Sequence, residues 1–190
     1  MGIQSGSERV IEQIYRRRQD NKTVLKVAQS LQKYSKKVTM PTYDIILDNP
    51  WETQDDKLKT IELLSQLANP YSLNIYSLQL FPGTSLYEKA VKENIIHENS
   101  ELKNYITHTP TYLNLITILF GLFRIPKWLL EILLSERFVN TKRKFKTLNH
   151  ILYDLILFRR GVFSFFTRDF SMFPPRLQIL LCKLMPPRIQ

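Results

Sequence analysis

The sequence predicts an α/β fold, a short run of parallel strands each followed by a helix, with an all-helical extension behind it. Three observations carry that reading. Apolar runs at 43–47 and 73–80 are each followed by a polar turn and an amphipathic helix. Strand–turn–helix repeats default to right-handed parallel crossovers. From Asn99 onward no strand of comparable quality recurs, and Pro110, Pro126, Pro174–Pro175 and Pro186–Pro187 break the remainder into helical stretches.

The elements follow in order. Ser5 and Glu8 form an S-x-x-E capping box that opens a helix to about Arg18, with Val10, Ile11, Ile14 and Tyr15 on one face. Thr23 is the expected cap of a second helix, to about Tyr34, whose apolar positions are Val24, Val27, Ala28, Leu31 and Tyr34. Val38–Leu47 reads as a strand covered on both faces, because YDIIL is apolar without alternation. The turn Asp48–Glu52 follows. Thr53 then caps a helix with Asp55 and Asp56 in its first turn, where carboxylates favour the helix dipole, and with Leu58, Ile61, Leu64 and Ala68 as its buried stripe. Ser72–Leu80 is the next strand, Pro82-Gly83 a turn, and Thr84 the cap of a helix to about Glu93. A strand should precede the first helix, yet only a stump stands before Ser5. Two strands and a stump cannot close a barrel, so the expectation is a fragment or a chain that needs a partner.

The chain has 190 residues, 44% of them hydrophobic, which excludes a disordered tail. Its formal charge is +10, unevenly placed. Residues 1–135 carry 16 basic and 14 acidic groups, whereas 136–190 carry 11 and 3. The basic character therefore belongs to the last part of the chain. The N-terminus lacks the apolar region of a signal peptide, so the expected location is cytoplasmic, at most peripheral to a membrane. Tyr112–Leu134 is very apolar, but Arg124, Lys127 and Glu131 interrupt it and Pro126 breaks it. Two short helices are expected there rather than a span.

Four motifs punctuate the first half: GIQSGSE at 2–8, YRR at 15–17, YDIILDNPWET at 43–53 and FPGTSLYEKA at 81–90. In order, spacing and strand–turn–helix context they resemble the C-terminal half of the radical S-adenosylmethionine core domain. The likeness is greatest to the group that often carries a cobalamin-binding domain. It implies an incomplete, parallel, partial TIM-like barrel over 1–104 and a helical, basic extension over 105–190. It implies an enzyme that makes a 5′-deoxyadenosyl radical to methylate, cyclise or otherwise modify a small-molecule or lipid-like substrate. In such folds ligands bind at the carboxyl ends of the strands, where these motifs sit. By resemblance, Gln4 and Ser5 would lie near the ribose or methionine part of S-adenosylmethionine. Asn49, Glu52, Phe81, Pro82 and Gly83 would wall the adenine and the substrate cavity. Plainer roles stay open beside these. Ser5 and Glu8 can be a helix cap alone, Glu52 can hold its own turn, and Pro82-Gly83 is first a turn. Tyr15, Arg16 and Arg17 read as a solvated helix face.

The departure from the family is as informative. The family's [4Fe–4S] cluster is held by a CxxxCxxC loop, and this chain has only Cys182. Cys182, in LQILLCKLM, reads as a buried small hydrophobe. The three cluster ligands are missing, so no residue of this chain is expected to be catalytic and the isolated chain is expected to be inactive. The implied partner is the missing N-terminal half or a separate polypeptide carrying it. His97, His108 and His150 have no ligand spacing, and no metal site is expected.

The basic end has three readings. NTKRKFKT at 140–147, Arg159-Arg160 and Arg168 stand among Phe158, Phe163, Phe165, Phe166 and Phe170. They suit a solvated helix face, a membrane surface, or, least well for want of a binding module, nucleic acid. A non-catalytic helical module that binds a membrane or partner is thus the alternative to the enzyme reading.

Overall fold

The computed structural model describes residues 1–34, 40–97, 108–136, 139, 146–167, 177, 180 and 184. Its centre is an open parallel sheet of three strands in the order β1 (Gly2–Gln4), β2 (Thr42–Leu47), β3 (Ser72–Ser77). β2 and β3 pair in continuous register from Thr42↔Ser72 to Leu47↔Ser77. β1 meets β2 through Gly2↔Asp44 and Gln4↔Ile45, with an irregularity between them. The stump before Ser5 is therefore a paired strand.

Burial along β2 alternates. Tyr43, Ile45 and Leu47 are buried, whereas Thr42, Asp44 and Ile46 are half-buried. This corrects the expectation of two fully covered faces. The buried face continues through Ile3, Leu73 and Ile75. The other face pairs polar groups across the strands, with Asn74 Nδ2 donating to Asp44 Oδ1 at 3.0 Å.

The helices follow from local chemistry. A five-residue π-helical segment, Val10–Ile14, buries Val10, Ile11 and Ile14. It is shorter than the helix expected to Arg18, and no Ser5–Glu8 capping box closes it: the Ser5 hydroxyl accepts from Ser7 N and is otherwise engaged far away in sequence. Helix α1 (Asn21–Lys33) is capped by Asp20, whose carboxylate accepts from Thr23 N at 2.7 Å. Thr23 is thus the recipient of the cap rather than its source. Only Val24 and Ala28 of the expected α1 stripe are buried, while Val27 and Tyr34 are exposed.

Helix α2 (Gln54–Gln66) has the expected Thr53 cap, completed into a capping box by Asp56. Ile61 and Leu64 are buried as expected, joined by Leu63, whereas Leu58 and Ala68 are half-buried. Helix α3 (Ser85–Lys92) is capped by Thr84. Gly83 precedes it at φ 81°, a left-handed conformation that a side chain would oppose.

The apolar stretch at 112–134 forms two helices, α4 (Tyr112–Phe120) and α5 (Lys127–Leu134), divided at Pro126. The Tyr112 hydroxyl donates to Leu133 O at 3.0 Å and ties them together. Helix α4 packs on α2. Helix α6 spans Lys146–Thr167. Among the described residues no helix is long and apolar enough to cross a membrane. The chain forms two compact units, Met1–Arg143 and Lys144–Gln190. Cys182, Arg168 and most of the run 140–147 lie outside the described residues.

Candidate functional site

β1 and β2 both leave the sheet through a non-glycine residue in the left-handed region, Gln4 at φ 62° and Asp48 at φ 58°. Such a residue costs about 1 kcal/mol or more and persists only where its surroundings fix it. Here the surroundings are polar. Asp48 Oδ2 accepts from Ser77 Oγ at 2.8 Å and from Thr109 N at 2.9 Å, and its Oδ1 accepts from Asn114 Nδ2 at 2.9 Å. One carboxylate therefore joins the ends of β2 and β3 to the start of α4. At the end of β1, Arg17 Nη1 donates to Gln4 Oε1 at 2.7 Å.

Ser5 is 1% exposed. Its hydroxyl donates to Glu52 Oε1 at 3.0 Å and stands 3.1 Å from Thr60 Oγ1, which accepts from Gly6 N at 2.8 Å. A hydroxyl has one proton. Ser5 directs its proton to Glu52 and can only accept elsewhere. Glu52 thus bridges from the β2 turn to the end of β1. It does more than hold its own turn, although its N also donates to Asn49 O at 3.1 Å. Burial pushes the Glu52 carboxyl up to about 7, outweighing the Ser5 hydrogen bond and the nearby Lys57 charge that favour the ionised form.

Gly6 shows why this turn is glycine. A Cβ there would stand 2.6 Å from Lys59 O and from Thr60 Cα, both backbone atoms of α2. The loop after β1 lies directly on that helix. Beneath it, Asp56 accepts from Ser7 Oγ, from Arg9 and from Thr53 N and Oγ1. Burial raises this carboxyl, but the hydrogen bonds from Arg9, Ser7 and Thr53 together outweigh it and hold it well below the usual carboxylate range. Two carboxyls four residues apart, Glu52 half-buried and Asp56 buried, are thus driven in opposite directions, Glu52 toward neutrality and Asp56 toward permanent ionisation.

Asn49 is 4% exposed. Its Nδ2 donates to Tyr15 Oη at 3.3 Å and its Oδ1 accepts from Trp51 N at 3.0 Å. Tyr15 is therefore not part of a solvated face: burial raises its hydroxyl above the ordinary tyrosine range. Arg16 and Arg17 are exposed, as expected, and Arg17 reaches back to Gln4.

The structure thus gathers Gln4, Ser5, Asn49 and Glu52 at the carboxyl ends of β1 and β2. Phe81, Pro82 and Gly83 stand apart: all three are exposed, and among the described residues no hydrogen bond or ion pair joins them to that group. Tyr15, Asp48, Asp56, Thr60 and Asn114 are the residues sequence reasoning missed. Thr60 and Asp56 were open to discovery, because they share one face of α2 four residues apart.

Beside Glu52 lies a cavity of about 200 Å³, lined also by Gln54, Lys57, Thr111, Tyr112, Leu113 and Val139. Clefts of about 470 and 500 Å³ lie elsewhere, one between the Gly6–Arg9 turn, α1 and α2, the other at Arg16–Arg18. The Glu52 cavity is the candidate site, since of these three it is the one lined by the Glu52 carboxyl; Gln4, Ser5 and Asn49 do not line it. It offers a proton-sharing carboxyl, an ammonium and apolar wall in one place. No protein-family model matches this chain, and no curated protein matches it.

Proposed function

We propose that residues 1–104 are the later βα units of a radical S-adenosylmethionine-type enzyme, forming part of the wall that holds S-adenosylmethionine and substrate. The observation that carries this reading is the gathering of Gln4, Ser5, Asn49 and Glu52 at the ends of adjacent parallel strands, where α/β folds bind ligands. The half-buried face of Asp44, Ile46 and Asn74 supports it, being suited to the interior of a larger partial barrel. The cavity beside Glu52, at about 200 Å³, is smaller than the roughly 300–1,000 Å³ of a ligand pocket. A second body would complete it.

S-adenosylmethionine fits this polar end. Glu52 would offer a carboxyl oxygen to a hydroxyl of a bound ribose; Gln4 and Asn49 stand at the same strand ends, with Gln4 held by Arg17 and Asn49 by Tyr15 and Trp51. Ser5, committed to Glu52 and Thr60, positions that carboxyl and does not itself meet the ligand. When bound, S-adenosylmethionine supplies the 5′-deoxyadenosyl group of the chemistry; this chain binds, orients and excludes water.

A [4Fe–4S] cluster does not fit. The chain has one cysteine, and no group of three His, Cys, Asp or Glu side chains able to hold a metal occurs among the described residues. The cluster and its electron are therefore assigned to a partner segment with the CxxxCxxC loop, docked along the outer edge of β1. Two measurements test this. Anaerobic iron–sulfur reconstitution of the chain should give no stoichiometric 4Fe–4S absorbance. Calorimetric titration with S-adenosylmethionine should give weak binding, near a Kd of about 1 mM or about 4 kcal/mol, abolished in Glu52→Ala. A stoichiometric cluster overturns the division of labour; absence of any heat overturns the wall.

A further inference from the structure

Several described apolar side chains of the unit Lys144–Gln190 are exposed. On α6, Ile151, Leu155, Phe158 and Val162 are 52, 59, 71 and 39% exposed. At about 100° per residue, these four fall within an arc of about 60°. Asn149 and Tyr153, on the opposite face, are 4% and 7% exposed. Helix α6 is therefore buried on a face with an amide and a phenol, and open on a face of Ile, Leu, Phe and Val. Leu177, Leu180 and Leu184 repeat the pattern at i, i+3 and i+7, with exposures of 41, 52 and 70%. A lone exposed leucine needs no explanation, but two aligned stripes do.

We propose that this unit docks on the surface of an anionic lipid bilayer, with the α6 stripe entering the interface and the cations of the segment meeting the headgroups. Charge chooses this occupant. Residues 136–190 carry 11 basic and 3 acidic groups, and Lys142, Arg143, Lys144 and Lys146 stand immediately before the stripe. An apolar helix face within a strongly basic stretch of sequence is the pattern of an interfacial helix. Each Lys or Arg near an anionic surface adds to the attraction. Nucleic acid would use the cations but leave Ile151, Leu155 and Val162 without a role, since bases stack on aromatic rings. A span is not the mode, because no described helix is long and apolar enough for one. The proposal extends beyond the strand-end site and does not depend on it.

Co-sedimentation of the full chain with vesicles tests it, comparing phosphatidylcholine alone with phosphatidylcholine containing 30% phosphatidylglycerol. Binding to the anionic vesicles should be at least tenfold tighter and should weaken with salt. Phe158→Asp and Leu155→Asp should each reduce it about tenfold; both side chains are more than half exposed, so the fold is retained. Phe158→Trp should show blue-shifted emission when anionic vesicles are added. Equal binding to both vesicles, no binding to either, or self-association through the stripe without sedimentation overturns the proposal. Salt-sensitive RNA binding without vesicle binding overturns it in favour of nucleic acid.

Discussion

The turn region at the ends of β1 and β2 and the outer face of α6 differ in what they leave unfinished. In the first, side chains from distant parts of the chain are locked together: Ser5 meets Glu52 across 47 positions and Ser7 meets Asp56 across 49. In the second, large apolar groups stand in solvent. The strand-end region is closed by hydrogen bonds between its own side chains. The α6 face is apolar and exposed. One chain can thus tie distant segments tightly at one surface and leave large apolar groups in solvent at another.

The comparison can be broken at its tightest point first. Asp56→Ala removes the acceptor of Arg9, Ser7 and the Thr53 cap together. Arg9 is partly exposed and its loss is screened, but each buried donor left without its acceptor costs about 1–3 kcal/mol, and urea denaturation should show the largest loss of this set. Gly6→Ala drives a Cβ into the α2 backbone and should cost about 2–3 kcal/mol by the same measurement. Ser7→Ala, which removes a single bond to Asp56, should fall well below both.

The pH dependence is the next effect in size. The Glu52 carboxyl titrates near 7 when folded and 4.5 otherwise. The folded state therefore binds the proton more tightly, and stability falls as pH rises from about 4.5 through 7. The Asp56 contribution has the opposite sign and lies lower, because its carboxyl is held below the usual range: it is present above the ordinary carboxylate value and lost in acid. Between pH 5 and 8 the Glu52 effect should dominate, at roughly 1–2 kcal/mol after screening. Glu52→Gln should flatten the slope and leave the protein more stable than the parent at pH 8. An unchanged slope would place the titrating group elsewhere. Thr53→Ala, the loss of one helix cap, should cost about 1 kcal/mol, the smallest of these stability changes.

What the sequence made legible was local. Thr53 followed three residues on by Asp56 marks the start of α2, and Thr84 that of α3. Pro126 divides α4 from α5. Each signal and its consequence lie within one turn of helix. The failures were nonlocal. Ser5 has the spacing of a cap, but its hydroxyl is drawn away by Glu52 and Thr60. Asp20 and Thr23 are both capping residues, and only the fold shows which one accepts. The alternation along β2 is hidden because Ile46, on the half-buried face, is as apolar as Ile45 on the buried one. Gln4, Ser5, Asn49 and Glu52 stand in turn motifs visible in the sequence, but the bond between Ser5 and Glu52 is not visible there. Nor was the part played by Tyr15 and Asp48, since a tyrosine before three arginines and an aspartate in a turn carry no unique local signature. The +8 of residues 136–190 was visible as composition, but the outward apolar stripe needed the burial of Asn149 and Tyr153 to reveal it.

The central claim is that the ends of β1 and β2 form one wall for S-adenosylmethionine. An amide chemical-shift titration of the full chain with S-adenosylmethionine, up to about 1 mM, addresses it most directly. The account predicts shifts concentrated at Gln4–Gly6 and Asp48–Glu52, absent from α6, and lost in Glu52→Ala. Shifts centred at Arg16–Arg18 or on the α1–α2 cleft at Asn21, Leu25 and Lys59–Gln66, or no shifts at all, would contradict it.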